Sequence, residues 1–217
     1  MLDVPSPTLT PDLLGALAAF AFATSITPGP NNTMLMVSGA NFGFRATRAH
    51  LLGVSVGFLL LLLAVGLGLG GLFRAYPVLH DLLTLVGAAY LLWLAWKVAT
   101  SRGIGGGAAS ASRPQTFWEA VAFQWVNPKA WAMALGAVTA YAPQDAYVTN
   151  VLLVGFVFMA VNLPCVASWT GFGVGLRRVL NRPGVLRAFN VTMAALLVAS
   201  LVPSMCSLIE GQGWTRR

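Results

Sequence analysis

Two short stretches of this chain carry residue types that could hold a small zwitterion. They are Pro28-Gly29-Pro30-Asn31-Asn32 and Asn127-Pro128-Lys129-Ala130. Proline lacks a backbone donor and breaks the helical ladder. A helix restarting at Pro30 would present its first free N–H groups and the positive end of its dipole, which suits a carboxylate. Pro30 itself is at home in a first turn, where its missing donor is not needed. Asn31 and Asn32 add amides that both donate and accept, as a carboxylate and an ammonium on one molecule require. Asn127 is placed to cap a second restart at Pro128. Lys129 then puts a cation near a helix N-terminus, against the dipole, and burial in lipid costs about 2.5–3.5 kcal/mol more on insertion scales. Some compensating group is expected: a substrate carboxylate, water or a nearby acid. The structural alternative is that Lys129 reaches the membrane interface or pairs with Glu119. Gln124, one turn before the second break, and Asn162, just ahead of Pro164, complete the candidate substrate-binding set, although Asn162 could equally bridge two helices.

Each break falls near the middle of an apolar run. The chain has 217 residues, of which 57% are hydrophobic and 9% charged. A soluble domain carries about 25% charged residues, so this chain cannot dress a water-facing surface of normal size and reads as an integral membrane protein. A crossing helix needs about 20 mostly apolar residues. Six runs qualify, over about 13–40, 50–73, 82–96, 117–141, 148–169 (extending toward 176) and 188–208, with a five-span count as the main alternative. The first and fourth contain the breaks. In lipid, interrupted backbone is tolerated only where it lines a cavity or is buried in protein. Two broken helices at matching places in two halves are the usual build of a secondary transporter with its site at the bilayer midplane.

The basic residues sort by side. With six spans, one side collects Arg45, Arg48, Lys97, Arg102, Arg113, Arg177, Arg178, Arg182 and Arg187, and the other only Arg74, Arg216 and Arg217. The positive-inside rule places the richer side in the cytoplasm and both termini outside. The net charge of +7 therefore orients the chain and does not point to nucleic acid. Residues 101–116 open with a Gly-, Ala- and Ser-rich stretch and read as a cytoplasmic linker. They divide a single transmembrane domain, 1–217, into three-helix halves over 1–100 and 117–217. Three spans per half force the second half to enter the membrane in the opposite sense, giving an inverted repeat. The stretch 30–40 can be laid on 127–137, with Met36 on Met133 and Gly39-Ala40 on Gly136-Ala137. The expected fold class is thus all-α and membrane-spanning, with two inverted three-helix repeats whose helices 1 and 4 are broken.

Thr27-Pro28-Gly29-Pro30-Asn31-Asn32, followed by Asn41-Phe42-Gly43-Phe44-Arg45 and His50-Leu51-Leu52-Gly53, resembles the LysE/RhtB family of amino-acid exporters. So does Phe123-Gln124-Trp125-Val126-Asn127-Pro128-Lys129-Ala130. The resemblance extends over nearly the whole chain: length, span count, linker position and both motifs. It implies export of amino acids or close derivatives across the bacterial cytoplasmic membrane, driven by the proton gradient, with Pro28, Gly29, Pro30, Asn31, Asn32, Asn127, Pro128 and Lys129 as the residues that carry over. It does not choose among substrates.

Other classes fit less well. A cation exporter of related fold would want several oxygen ligands, often carboxylates, and the chain has six acids in all. A membrane enzyme would need a convergent acid, base or nucleophile set, and a plain structural subunit leaves both breaks unexplained. Cys165 and Cys206 lie in apolar runs and read as small packing residues. No cofactor or metal is expected. The expected partners are the amino-acid substrate, protons and the bilayer. Gly53 with Gly57 and Gly66 with Gly70 permit close helix contact, within one chain or in a homo-oligomer. The proton carrier is unassigned among Lys129, Glu119 and His50. For His50, at the start of the second span, an interfacial anchor is the favoured alternative.

Overall fold

The computed structural model describes residues 9–100, 113–180, 182–202 and 205–206. Residues 101–112 of the expected linker and the end of the expected sixth span lie outside the described residues. Every regular element among those described is helical. Helix α1 (Pro11–Ile26) starts where Thr10 Oγ1 accepts from the Leu13 N–H at 3.3 Å. It stops ahead of Pro28, and α2 (Pro30–Phe42) restarts at a bend of 56°. Gly43 then turns the chain with φ +84°, a left-handed conformation that favours glycine. Next come α3 (Phe44–Ala64), a π-helical turn (Val65–Leu69), α4 (Gly70–Ala75) and α5 (Pro77–Thr100). After the linker, α6 (Phe117–Val126) begins with a capping box between Thr116 and Glu119. The chain continues through α7 (Pro128–Tyr141), α8 (Tyr147–Leu176) and α9 (Pro183–Ala199).

Three helical runs are long and apolar enough to cross a membrane: Phe44–Leu72, Asp81–Thr100 and Tyr147–Leu176. The bent α1–α2 pair makes a fourth. Helix α9 is apolar but shorter, at 17 residues, and the remaining expected span is divided at Asn127 into α6 and α7. Polarity is arranged for a lipid environment. Leu60, Leu82, Leu85, Trp96, Trp118, Phe156 and Phe172 face outward, while Ser25, Asn32, Thr33, Ser38, His50, Ser55, Gln124, Asn127, Asn162 and Asn190 are buried. Hydrocarbon offers polar groups no partner, so they gather inside the bundle.

The halves pack crosswise. Helices α1 and α2 of the first half lie on α8 of the second, and α6 and α7 of the second lie on α3 of the first; α5 packs against α9. Glycines set the approach. A Cβ on Gly39 would run into the Thr170 carbonyl oxygen, one on Gly173 into that of Met36, one on Gly53 into that of Phe117, and one on Gly87 into that of Val126. Small residues at helix contacts let backbones close and gain van der Waals packing, the main attraction available between helices in lipid.

These contacts give a first expected result. Gly173→Leu drives a side chain into α2 backbone, which cannot yield as a flexible side chain can. Overpacking typically costs about 1–3 kcal/mol, and here the obstruction is main chain. Size-exclusion chromatography of the detergent-extracted variant should show loss of the monodisperse peak. Gly171→Leu, two residues away with open space around it, should elute like the parent. A monodisperse, thermally normal Gly173→Leu protein would contradict the α2–α8 contact.

Candidate functional site

The two breaks meet. Asn31 Nδ2 donates to Gln124 Oε1 at 2.8 Å, and Gln124 Nε2 donates back to Asn31 Oδ1 at 3.1 Å. Gln124 is fully buried and also donates to the Ala120 carbonyl at 3.0 Å. The pair ties the first turn of α2 to the last turns of α6 across 93 positions of sequence. Asn127 caps α7, its Oδ1 accepting from the Lys129 N–H at 3.2 Å, as the sequence suggests. Trp131 Nε1 reaches back over this break to the Trp125 carbonyl at 2.8 Å.

A helix leaves its last four carbonyls without intrahelical partners. At the C-terminal end of α1 nearly all of the carbonyls around the break find side-chain donors. Asn32 Nδ2 donates to the Ser25 and Thr27 carbonyls at 2.7 and 2.8 Å. Trp169 Nε1 of α8 donates to Ile26 at 3.0 Å, and Thr27 Oγ1 donates to Thr24 at 2.9 Å. Lys129 Nζ completes the set, donating to the Thr27 carbonyl at 2.9 Å, to Thr27 Oγ1 at 3.0 Å and to the Pro28 carbonyl at 3.3 Å.

This resolves the Lys129 problem. Its cation opposes the dipole of α7 but sits on the negative end of α1, where a positive charge is favoured. Glu119 is not its partner. That carboxylate is engaged by Arg113, whose guanidinium donates to both oxygens at 2.8 and 2.7 Å, and by the Thr116 N–H. Gly29 is needed here for space and not for its backbone, whose φ of 179° any residue can adopt. A Cβ at Gly29 would stand 2.8 Å from Lys129 Cδ and 3.0 Å from Nζ.

Asn162 bridges helices. Its Nδ2 donates to Ser25 Oγ at 3.1 Å, and its Oδ1 accepts from Ser55 Oγ at 3.3 Å. It also lines a cavity of about 20 Å³ with Gly29, Pro30, Asn31, Asn32, Asn127 and Lys129. That space suits about one water molecule. Seven of the ten candidate residues therefore border one small cavity; of the others, Gln124 pairs with Asn31, Pro28 contributes its carbonyl to Lys129 and Pro128 opens α7.

A second cavity of about 450 Å³ lies further along the same helices, between α2, α3, α5, α6 and α9. Along α2 the residues from Thr33 to Phe42 border the larger space and Pro30 to Asn32 the smaller. Along the second half Glu119 borders the larger and Asn127 the smaller. Asn31 borders the smaller cavity, and its partner Gln124 lies on α6 between Glu119 of the larger and Asn127 of the smaller. Sequence reasoning did not single out Ser25, Thr27, Ser55 or Trp169 at this site. Thr27 alone carried a signal, since it abuts the first proline in the quoted motif.

Comparison with known proteins agrees with this geometry. The LysE type translocator family matches residues 22–200. Among characterised relatives, the cysteine/O-acetylserine efflux proteins of Escherichia coli strain K12 and of Shigella sonnei strain Ss046 are each 34% identical over 192 residues. The match covers 88% of this chain and 96% of the relative. No solved structure matches the chain. With most of its length matched and its two broken helices tied together inside an apolar bundle, the chain belongs to the LysE type translocator family and is a membrane transporter, not an enzyme.

Proposed function

We propose that this protein exports a small amino acid with an uncharged side chain, of the class that includes cysteine and O-acetylserine, from the bacterial cytoplasm by alternating access coupled to proton entry. The observation that carries the reading is the junction of the two breaks through Asn31, Gln124 and Lys129. Substrate from the larger cavity parts the Asn31–Gln124 pair. Its carboxylate takes the α2 N-terminus, where Gly29 supplies no side-chain cap, together with Lys129. Its ammonium takes carbonyls of Ser25 and Thr27, now held by Asn32 and Lys129. The substrate's ammonium thus stands in for the donors that now hold these carbonyls.

The fold reading that goes with this is two inverted three-helix repeats with both termini outside. It is supported by the crosswise packing of each interrupted pair, α1–α2 on α8 and α6–α7 on α3. It is also supported by the gathering of basic turns at one end. The Gly43 turn lies 3.9 Å, at the position of a built Cβ, from an Arg177 guanidinium nitrogen, and Lys97 and Arg113 border the same cavity as Asn41 and Phe42.

Efflux from preloaded cells tests the function. Cells expressing the protein should release O-acetylserine or a similar amino acid faster than controls, and acidifying the outside should speed release. No accelerated efflux of any amino acid in a broad panel would end the reading. The topology has its own test. A single cysteine at Ala108, in a background lacking Cys165 and Cys206, should resist an impermeant thiol reagent in intact cells and react after lysis. Labelling from outside would reverse the orientation.

A further inference from the structure

We propose that the larger cavity is a second amino-acid site, occupied before the breaks open, and that His50 is its substrate-contacting residue. This rests on the export reading above. His50 is 2% exposed, borders the cavity, and neither of its ring nitrogens has a hydrogen-bond partner among the described residues. A buried polar side chain left unpaired is costly, so a histidine held in this way calls for a ligand. Gln115 Oε1, on the same cavity, is likewise buried without a hydrogen-bond partner among the described residues, while other neighbouring polar groups are engaged. Ser38 and Thr47 share a hydrogen bond of 3.0 Å. Glu119 is taken by Arg113 and Thr116. Tyr90 Oη accepts from Gln115 Nε2 at 2.8 Å, and Lys97 Nζ lies 4.1 Å over the Trp93 ring.

The ligand chemistry follows from the walls. A neutral imidazole offers one donor and one acceptor, so either nitrogen can serve one end of an amino acid, the N–H its carboxylate or the bare nitrogen its ammonium. Lys97 and Arg113 outnumber Glu119 among the charged lining groups, which favours the carboxylate end. Met34, Val37, Leu94 and Val98 give the rest an apolar wall suited to a short uncharged side chain. The volume of about 450 Å³ lies in the usual range of ligand pockets, about 300–1,000 Å³, whereas the cavity at the breaks is too small for an amino acid as it stands. Substrate is therefore selected here, in the larger space, and passed on past Asn31–Gln124.

The test reads binding, not transport. In a Cys206→Ser background, where the remaining Cys165 is buried, Val37→Cys places a thiol on the cavity wall. O-acetylserine, added to the full-length protein in nanodiscs, should slow its reaction with a maleimide. Adding His50→Leu should raise the half-protecting concentration about tenfold, the size of one lost hydrogen bond to a polar ligand. His50→Gln, which keeps a donor and an acceptor, should stay within about threefold of the parent. Unchanged protection in a folded His50→Leu protein would overturn the assignment of His50. If His50→Leu does not fold, the parent decides: no protection in a chain that exports O-acetylserine overturns the site. Failure to export O-acetylserine or any other amino acid is a different result, since it removes the export reading itself and this inference with it.

Discussion

Lys129→Met is expected to lose at least about 99% of efflux while the protein remains folded in the membrane. Methionine keeps an unbranched side chain one atom shorter and removes the charge and all three donors. The Thr27 carbonyl keeps its bond from Asn32, but the Pro28 carbonyl loses the side-chain donor that reaches it. Hydrogen bonds from a charged group are worth about 1.5–3 kcal/mol each, and every 1.36 kcal/mol is tenfold in rate. Two such bonds made to substrate in the open state, and absent in the variant, give a hundredfold loss or more. The fold should survive, because Asn32 and Trp169 still hold the end of α1. Lys129→Arg separates two roles. If the residue supplies charge alone, part of the activity remains, limited by the crowding between its side chain and Gly29. If it must release its proton during the cycle, arginine fails as completely as methionine, because its guanidinium does not deprotonate. The measurement is efflux from preloaded cells at matched membrane content across external pH. Near-normal release by Lys129→Met would leave the residue as a helix-capping cation with no part in transport.

Gly29→Leu is expected to be equally severe, for a different reason. The backbone at Gly29 is extended and accepts any residue, so the substitution imposes no main-chain strain and insertion should be normal. The added side chain must instead displace Lys129, whose Cδ and Nζ lie 2.8 and 3.0 Å from a built Cβ. It also fills the approach to the free N–H groups of α2. Gly29→Ala is the graded control. One methyl group can be accommodated if the flexible lysine shifts, so a loss of roughly three- to tenfold is expected, on the scale of about 1 kcal/mol. Full transport by a well-expressed Gly29→Leu protein would mean that the break is a kink in a packed helix and that substrate passes elsewhere.

Several features of this site were legible in the residues alone because their causes are local. Pro28, Pro30 and Pro128 interrupt helices through the chemistry of a single ring, and the interruptions are observed where the prolines stand. Asn127 caps the helix that follows it because the geometry of a cap spans two or three residues. The apolar runs announced the helices, although α5 and α9 each begin five residues earlier than the hydrophobic pattern suggests, at Pro77 and Pro183. In both cases polar residues, His80 and Asp81 in α5 and Arg187 in α9, separate the proline-led first turn from the apolar run that hydropathy detects.

What lies between the helices was decided only by tertiary structure. Nothing in the spacing of Asn31 and Gln124 foretells that they pair. Lys129 and Glu119 are closer in sequence than Lys129 and Thr27, yet the ammonium goes to Thr27 and the carboxylate to Arg113. His50 reads as an interfacial residue beside Arg48 and is in fact buried at a cavity wall. These outcomes depend on how closely and at what angle the helices cross, which is set where Gly39, Gly53, Gly87 and Gly173 let one backbone touch another. Periodicity fixes which way a side chain leaves its own helix. It carries no information about which carbonyl of a distant helix will be within 3 Å, and that distance determines whether a cation at a helix N-terminus is a penalty or a latch.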